Sequence, residues 1–188
     1  MWKKTILTTV IFFLLTTIAF SQEERLAGSW VINKDLSEIT DDKVELALIA
    51  SGATPTKGFF NRDREYYRGG PVEQEIYDFI SYELTLDISI EQAVYTFQYG
   101  EFTRLIYLDN RGNSVSLSGL DEVQDFSFGH WENNKLIIEG RPRDNGFTNE
   151  NYSLSDDGMQ LNVELYIKPR ALNAPVELIR IYDRVLEK

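Results

Sequence analysis

"MQLNVELYIK", residues 159–168, alternates strictly. Met159, Leu161, Val163, Leu165 and Ile167 fall on one side, and Gln160, Asn162, Glu164, Tyr166 and Lys168 on the other. Successive side chains of an extended chain point to opposite faces, so a period of two with one apolar set marks a half-buried strand. The next run, "LIRIYDRV" at 178–185, keeps the period but breaks the polarity, because Arg180, Tyr182 and Arg184 share the face of Leu178. Two readings stand for that face: an edge strand with a wet side, or the inside of a barrel whose polar groups meet a ligand.

The same period extends outward along the chain. Leu84, Leu86, Ile88 and Ile90 alternate with polar residues, and Tyr95, Phe97 and Tyr99 follow in the same way. "DNRGN" (109–113), "ENNK" (132–135), "RDNG" (143–146) and "SDDG" (155–158) supply the Asn, Asp and Gly that hairpin turns need. Strands are predicted near 28–33, 84–91, 93–99, 102–108, 114–118, 125–131, 135–140, 147–154, 159–168 and 176–185. About ten short strands in meander order predict an all-β, up-and-down antiparallel barrel, since closure removes exposed edges.

Residues 34–83 interrupt this pattern and predict a two-helix insertion after the first strand. "DDKVELALIASG" (41–52) places Asp41 or Asp42 at a cap and Gly52 at a stop. In "GGPVEQEIYDFISY" (69–82), Pro71 suits a first helical position, and Val72, Ile76, Phe79 and Ile80 form one stripe. The intervening 53–70 segment carries Phe59, Phe60, Tyr66 and Tyr67 among arginines, which suits a ligand portal, a partner surface or a packed loop equally.

At the N-terminus, Lys3 and Lys4 precede an apolar run from about Ile6 to Ala19, and Ala19-Phe20-Ser21 places small residues at the cleavage positions. This predicts a signal peptide at 1–21 and one exported domain at 22–188. The apolar run would span roughly 21 Å as a helix, short of a hydrocarbon core about 30 Å thick. Stable membrane insertion is therefore not expected, and the location is periplasmic or extracellular.

Removing the two leader lysines leaves 17 basic against 30 acidic residues, a surface that repels phosphate backbones. Nucleic acid is excluded as a partner on that ground. With no Cys, the chain has neither disulfides nor thiol chemistry. One histidine, His130, makes a transition-metal site or a catalytic triad a poor reading, so neither metal nor cofactor nor catalytic residue is expected.

Candidate binding residues follow from the barrel reading. Arg180 would offer a carboxylate two parallel hydrogen bonds, and Tyr182, about 6.6–6.8 Å along the same face, would add a third donor. The structural alternative pairs Arg180 with an inward glutamate such as Glu150. Arg104 is a further candidate if it points inward, and Tyr95, Phe97, Leu161, Val163 and Leu165 would line the interior. Either Arg184 or Arg180 is expected over the Trp30 indole, closing the barrel base.

Gly28 and Trp30 on the first strand, with Arg180 and Tyr182 on the last, resemble the two ends of a calycin barrel, the superfamily of lipocalins and intracellular fatty-acid-binding proteins. The stretch from "GHWENNKLIIEG" through "VELIRIYDR" also resembles secreted bacterial lipocalin-like proteins. The resemblance implies a tryptophan plug at the barrel floor with an arginine packed on it, a helix pair as a lid, and an arginine-x-tyrosine pair holding a ligand carboxylate. The chain departs from the fatty-acid-binding pattern in its longer insertion and in lacking an arginine within "FTNENYSL" at 147–154.

The expected function is therefore non-covalent binding of a small hydrophobic or amphipathic molecule. Two rivals are an envelope-accessory or protein-interaction barrel filled by its own side chains, and an enzyme acting on a lipophilic substrate.

Overall fold

Ten strands form where the alternating pattern predicts them, nine of them within one residue at each end, the strand predicted at 114–118 being described over 113–115. The structure is a computed structural model and describes residues 22–52, 84–100, 102–108, 113–115, 125–141, 146–170 and 172–186. A one-turn helix α1 (Gln22–Leu26) precedes β1 (Gly28–Ile32), and α2 (Thr40–Ala50) follows it. Then come β2 (Thr85–Glu91), β3 (Val94–Tyr99), β4 (Phe102–Tyr107), β5 (Asn113–Val115) and β6 (Asp125–Glu132). The chain ends with β7 (Lys135–Arg141), β8 (Phe147–Leu154), β9 (Gln160–Lys168) and β10 (Val176–Arg184).

The strands form one antiparallel sheet in the order β4-β3-β2-β1-β10-β9-β8-β7-β6-β5. β1 pairs with β10 through Trp30 opposite Arg184 and Ile32 opposite Tyr182, so the first and last strands meet as a barrel requires. Hairpin chemistry is local. Asn133 and Asn134 both adopt positive φ, 48° and 63°, which a type I′ turn needs at its two central residues.

The expected up-and-down antiparallel barrel forms. Among the described residues the hydrogen-bonded ladder stops at β4 and β5, so the barrel is nearly closed rather than continuous. Side chains bridge the seam instead. A Cβ at Gly129 on β6 would lie 2.6 Å from both Ile106 and Leu108, so the bare glycine lets the side chains of β4 and its turn lie flat over β6.

The first predicted helix is present as α2, but its cap differs from the expectation. Ile39 occupies the N-cap position with no side-chain bond, and Asp41 and Asp42 fall inside the first turn. The neighbouring Glu38 does not cap the helix but joins it to β10: its Oε2 accepts the Ile179 amide at 2.8 Å, and Lys43 Nζ lies 2.7 Å from its other oxygen. The chain leaving β1 thus stays tied to β10, with Ser37 Oγ donating to the Ile181 carbonyl at 3.1 Å and accepting its amide at 3.0 Å. The second predicted helix and the aromatic segment before it lie outside the described residues.

Burial alone would push the Glu38 carboxyl upward, but the Lys43 hydrogen bond and the Ile179 amide outweigh it, so its pKa sits below the ordinary 4.5. A carboxylate depressed on folding stabilises above its unfolded pKa and loses that contribution as pH falls through the folded value. Glu38→Gln is accordingly expected to cost no more than about 1 kcal/mol at neutral pH, the site being partly solvated. The deficit should shrink below pH 4.5. Urea unfolding of both proteins across this range checks it, and a deficit independent of pH would refute it.

Candidate functional site

Every inward position obeys the strand period. Leu86 and Ile88, Tyr95, Phe97 and Tyr99, Leu136 and Ile138, and Leu161 to Ile167 at alternate positions build the apolar wall. Among the described residues three charged side chains are enclosed with them: Arg104 at 5 % exposure, Arg180 at 3 % and Glu150 at 0 %. Such groups are almost never enclosed without partners, so the polar interior is specified rather than incidental.

Arg104, a candidate only on condition that it faced inward, does so from β4 and meets Glu150. Its Nη1 donates to Glu150 Oε1 at 2.8 Å and Oε2 at 2.9 Å, while Nη2 donates to Ser127 Oγ at 3.0 Å. The glutamate expected as a partner for Arg180 is thus engaged by Arg104. Tyr152 donates to Glu150 Oε2 at 2.7 Å, and the Tyr99 hydroxyl lies 3.0 Å from that of Tyr152. Phe97 packs edge-on to the Tyr152 ring with centroids 5.2 Å apart, which fixes the ring's direction.

The electrostatics follow from this geometry. Burial alone would push the Arg104 guanidinium down, yet the Glu150 carboxylate, aided by the two phenols, holds it above its usual range. Tyr152 is pushed up, first by burial and then by the adjacent Glu150 charge, so its phenol keeps its proton.

Arg180 and Tyr182 both point inward from β10, and Arg180 Nη2 donates to Thr40 Oγ1 at 2.7 Å, linking the strand to the start of α2. Register places Tyr152, Val163 and Arg180 on one rung across β8, β9 and β10. Arg180 therefore faces the Glu150–Tyr152–Tyr99 cluster across a single valine.

Between them is a cavity whose polar walls are Tyr99, Glu150, Tyr152, Arg180 and Tyr182 and whose apolar walls are Leu86, Val163 and Leu165. The centre of a water can reach only ≈ 20 Å³ of it. A single water needs roughly 10–15 Å³ on that measure. Of the predicted lining, Val163 and Leu165 border this space. Tyr95, Phe97 and Leu161 are buried but pack elsewhere; the Tyr95 hydroxyl accepts the Trp131 indole N–H at 3.0 Å.

At the opposite end, Arg184 rather than Arg180 covers Trp30, its guanidinium carbon 4.1 Å from the ring centroid. Arg184 donates to the carbonyls of Gly158 at 2.8 Å, Ala27 at 3.0 Å and Arg25. Burial, and then the charge of Arg25, push its pKa down. Gly28 is needed here, because φ +139° and a Cβ 2.7 Å from Arg184 Nη1 both exclude a side chain. Trp30, Arg184 and Gly28 thus form the predicted floor.

His130 is exposed on the outer face of β6. Among the described residues no three metal-ligating side chains converge, and no helix is long and apolar enough to cross a membrane.

Sequence reasoning missed Tyr99, Tyr152 and Ser127 as members of the interior network. The parity of β8 was hidden, because "FTNENYSL" alternates Thr148, Glu150 and Tyr152 with Asn149, Asn151 and Ser153, and neither set is apolar.

No protein-family model matches the chain, and no curated protein sequence matches it. Solved structures do. A secretory abundant heat-soluble protein from Ramazzottius varieornatus is similar at a TM-score of 0.53 and 13% identity, over 86% of this chain and 96% of that one. Lipid binding protein 8 of Caenorhabditis elegans, in its apo form, matches at a TM-score of 0.52 and 14% identity, over 89% of this chain and 100% of its own. Fatty-acid-binding protein 1 of Echinococcus granulosus matches at 0.51 and 16% identity, over 87% and 99%. These likenesses establish the fold: an all-β, nearly closed antiparallel barrel of calycin type with a helix after its first strand.

Proposed function

We propose that the protein binds a small amphipathic molecule through its acidic group, as an exported carrier or receptor and not as an enzyme. One observation carries this reading: the Arg180 guanidinium, 3 % exposed, borders a central cavity whose other walls include Leu86, Val163 and Leu165. A guanidinium stays charged when buried and accepts a carboxylate in a fixed planar geometry, while the apolar walls take the remainder of the ligand. Tyr182, two residues along on the same face, supplies a second donor. The solved structures of similar fold include proteins described as lipid-binding and fatty-acid-binding, which supports the same class. Export rests on the leader sequence at 1–21; the resemblance to secreted bacterial lipocalin-like proteins lies in the later stretch 126–186.

Calorimetric titration of the mature protein with straight-chain carboxylic acids tests this. Arg180→Met is expected to weaken binding at least about tenfold, the loss of a charge-assisted pair. Equal affinity in the variant sinks the role of Arg180. The small cavity, ≈ 20 Å³ to water centres, favours a second reading in which the interior is filled by its own side chains and only an outer surface acts. Absence of binding to every acid in the series would establish that alternative in place of the first.

A further inference from the structure

The cavity beside Arg180 is braced by its own hydrogen bonds, and the bracing limits the length of what it can hold. On one wall, Arg104 donates to both oxygens of Glu150 at 2.8 Å and 2.9 Å, and Tyr152 donates to Glu150 at 2.7 Å. The Tyr99 hydroxyl lies 3.0 Å from that of Tyr152, and Phe97 meets the Tyr152 ring edge-on at 5.2 Å. On the other side of Val163, Arg180 is tied to Thr40 at 2.7 Å. Moving any of these polar side chains aside breaks a buried hydrogen bond and strands the groups that made it.

The apolar walls are equally fixed. Val163 is laddered between Tyr152 on β8 and Arg180 on β10, and Leu86 stands opposite Trp30 with no surface exposed. The room left is ≈ 20 Å³ to water centres, against roughly 10–15 Å³ for one water. Between about one and two waters would therefore fill it. The two oxygens of a carboxylate on Arg180 take up most of that room. What remains beside Leu86, Val163 and Leu165 accommodates a methyl or a short alkyl end.

We infer that the cavity is specific for a short-chain carboxylate of about two to four carbons, its acid group on Arg180 and its alkyl end against Leu86, Val163 and Leu165. The inference rests on the acid-binding reading above and goes beyond it by fixing the length of the ligand and rejecting long-chain acids. In a roomy apolar interior each added methylene is buried from water and raises affinity about fourfold. In this cavity a longer tail overfills a close-packed core and has to displace braced side chains. Affinity therefore passes through a maximum with chain length instead of climbing steadily.

NMR chemical-shift titration of the mature protein with straight-chain acids, from formate to decanoate, tests this. Affinity is expected to rise from formate to a maximum between acetate and butyrate, then to fall at least about tenfold by octanoate. A climb of about fourfold per methylene through octanoate would overturn the length limit and leave the acid-binding reading intact. An affinity indifferent to chain length places the tail outside the cavity and overturns the limit as well. If no acid binds at any length, both readings fall. Leu165→Ala enlarges the apolar wall and should move the maximum about two to three carbons toward longer acids. A maximum that stays in place overturns the contact between the tail and Leu165. Should that variant not fold, the chain-length series on the unaltered protein decides the length limit alone.

Discussion

Glu150→Leu is expected to lower folding stability by about 3–5 kcal/mol, the cost of leaving a buried charge without its partner. The reasoning starts from Arg104. Its guanidinium is 5 % exposed, and two of its hydrogen bonds end on Glu150. Burial alone pulls its pKa down, and the Glu150 field restores it. Replacing Glu150 removes the restoring field and keeps the burial, so Arg104 must either drag water inside or push out through the seam beside β6. Tyr152 also loses the acceptor that holds its hydroxyl at 2.7 Å. Arg104→Met combined with Glu150→Leu removes both charges together and should recover most of the loss, because a dry apolar pair of similar volume is often as stable as the ion pair. Urea unfolding of the three proteins decides it. A Glu150→Leu penalty below about 1 kcal/mol, the range of a surface pair, would mean that the Arg104–Glu150 contact is not enclosed.

Trp30→Ala carries the second large effect, also about 3–5 kcal/mol. Trp30 is 0 % exposed, its indole N–H donates to the Leu26 carbonyl at 3.2 Å, and Arg184 lies over its ring. The substitution leaves a void at the barrel floor and removes the surface on which Arg184 is held. α1 depends on the same contact, since Leu26 is its last residue and Arg184 donates to the Arg25 and Ala27 carbonyls around it. Trp30→Phe keeps most of the packing and should cost less than half as much. A double-mutant cycle of Trp30→Phe with Arg184→Met isolates the stacking, expected at about 0.5–2 kcal/mol. Additive effects in that cycle would show that Arg184 stabilises the floor through its carbonyl contacts alone.

The two sites were legible to different degrees. Trp30 could be read because Gly28-x-Trp30 on the first strand resembles the calycin pattern, which implies a tryptophan plug at the barrel floor. That Arg184 and not Arg180 covers it follows from register, because Arg184 stands opposite Trp30 while Arg180 stands opposite Val163. The inward course of Arg180 and Tyr182 could be read from Leu178, with which they share parity. Glu150 could not, because β8 has no apolar face to declare which side is in.

The amino-acid pattern by itself determined the strands, their turns and the meander order, because alternation and positive-φ residues act within a few positions of one another. It also determined which side of most strands turns inward, since one parity is greasy and water chooses the other. Tertiary structure decided which inward polar groups meet. Arg104 and Glu150 are 46 residues apart, and Tyr99 and Tyr152 are 53 apart. Only the curvature that wraps β3 and β4 round to face β8 sets those pairs, and no short-range rule encodes a curvature. The hydrogen-bonded network of Arg104, Glu150, Tyr152 and Tyr99 exists only once those side chains share one interior.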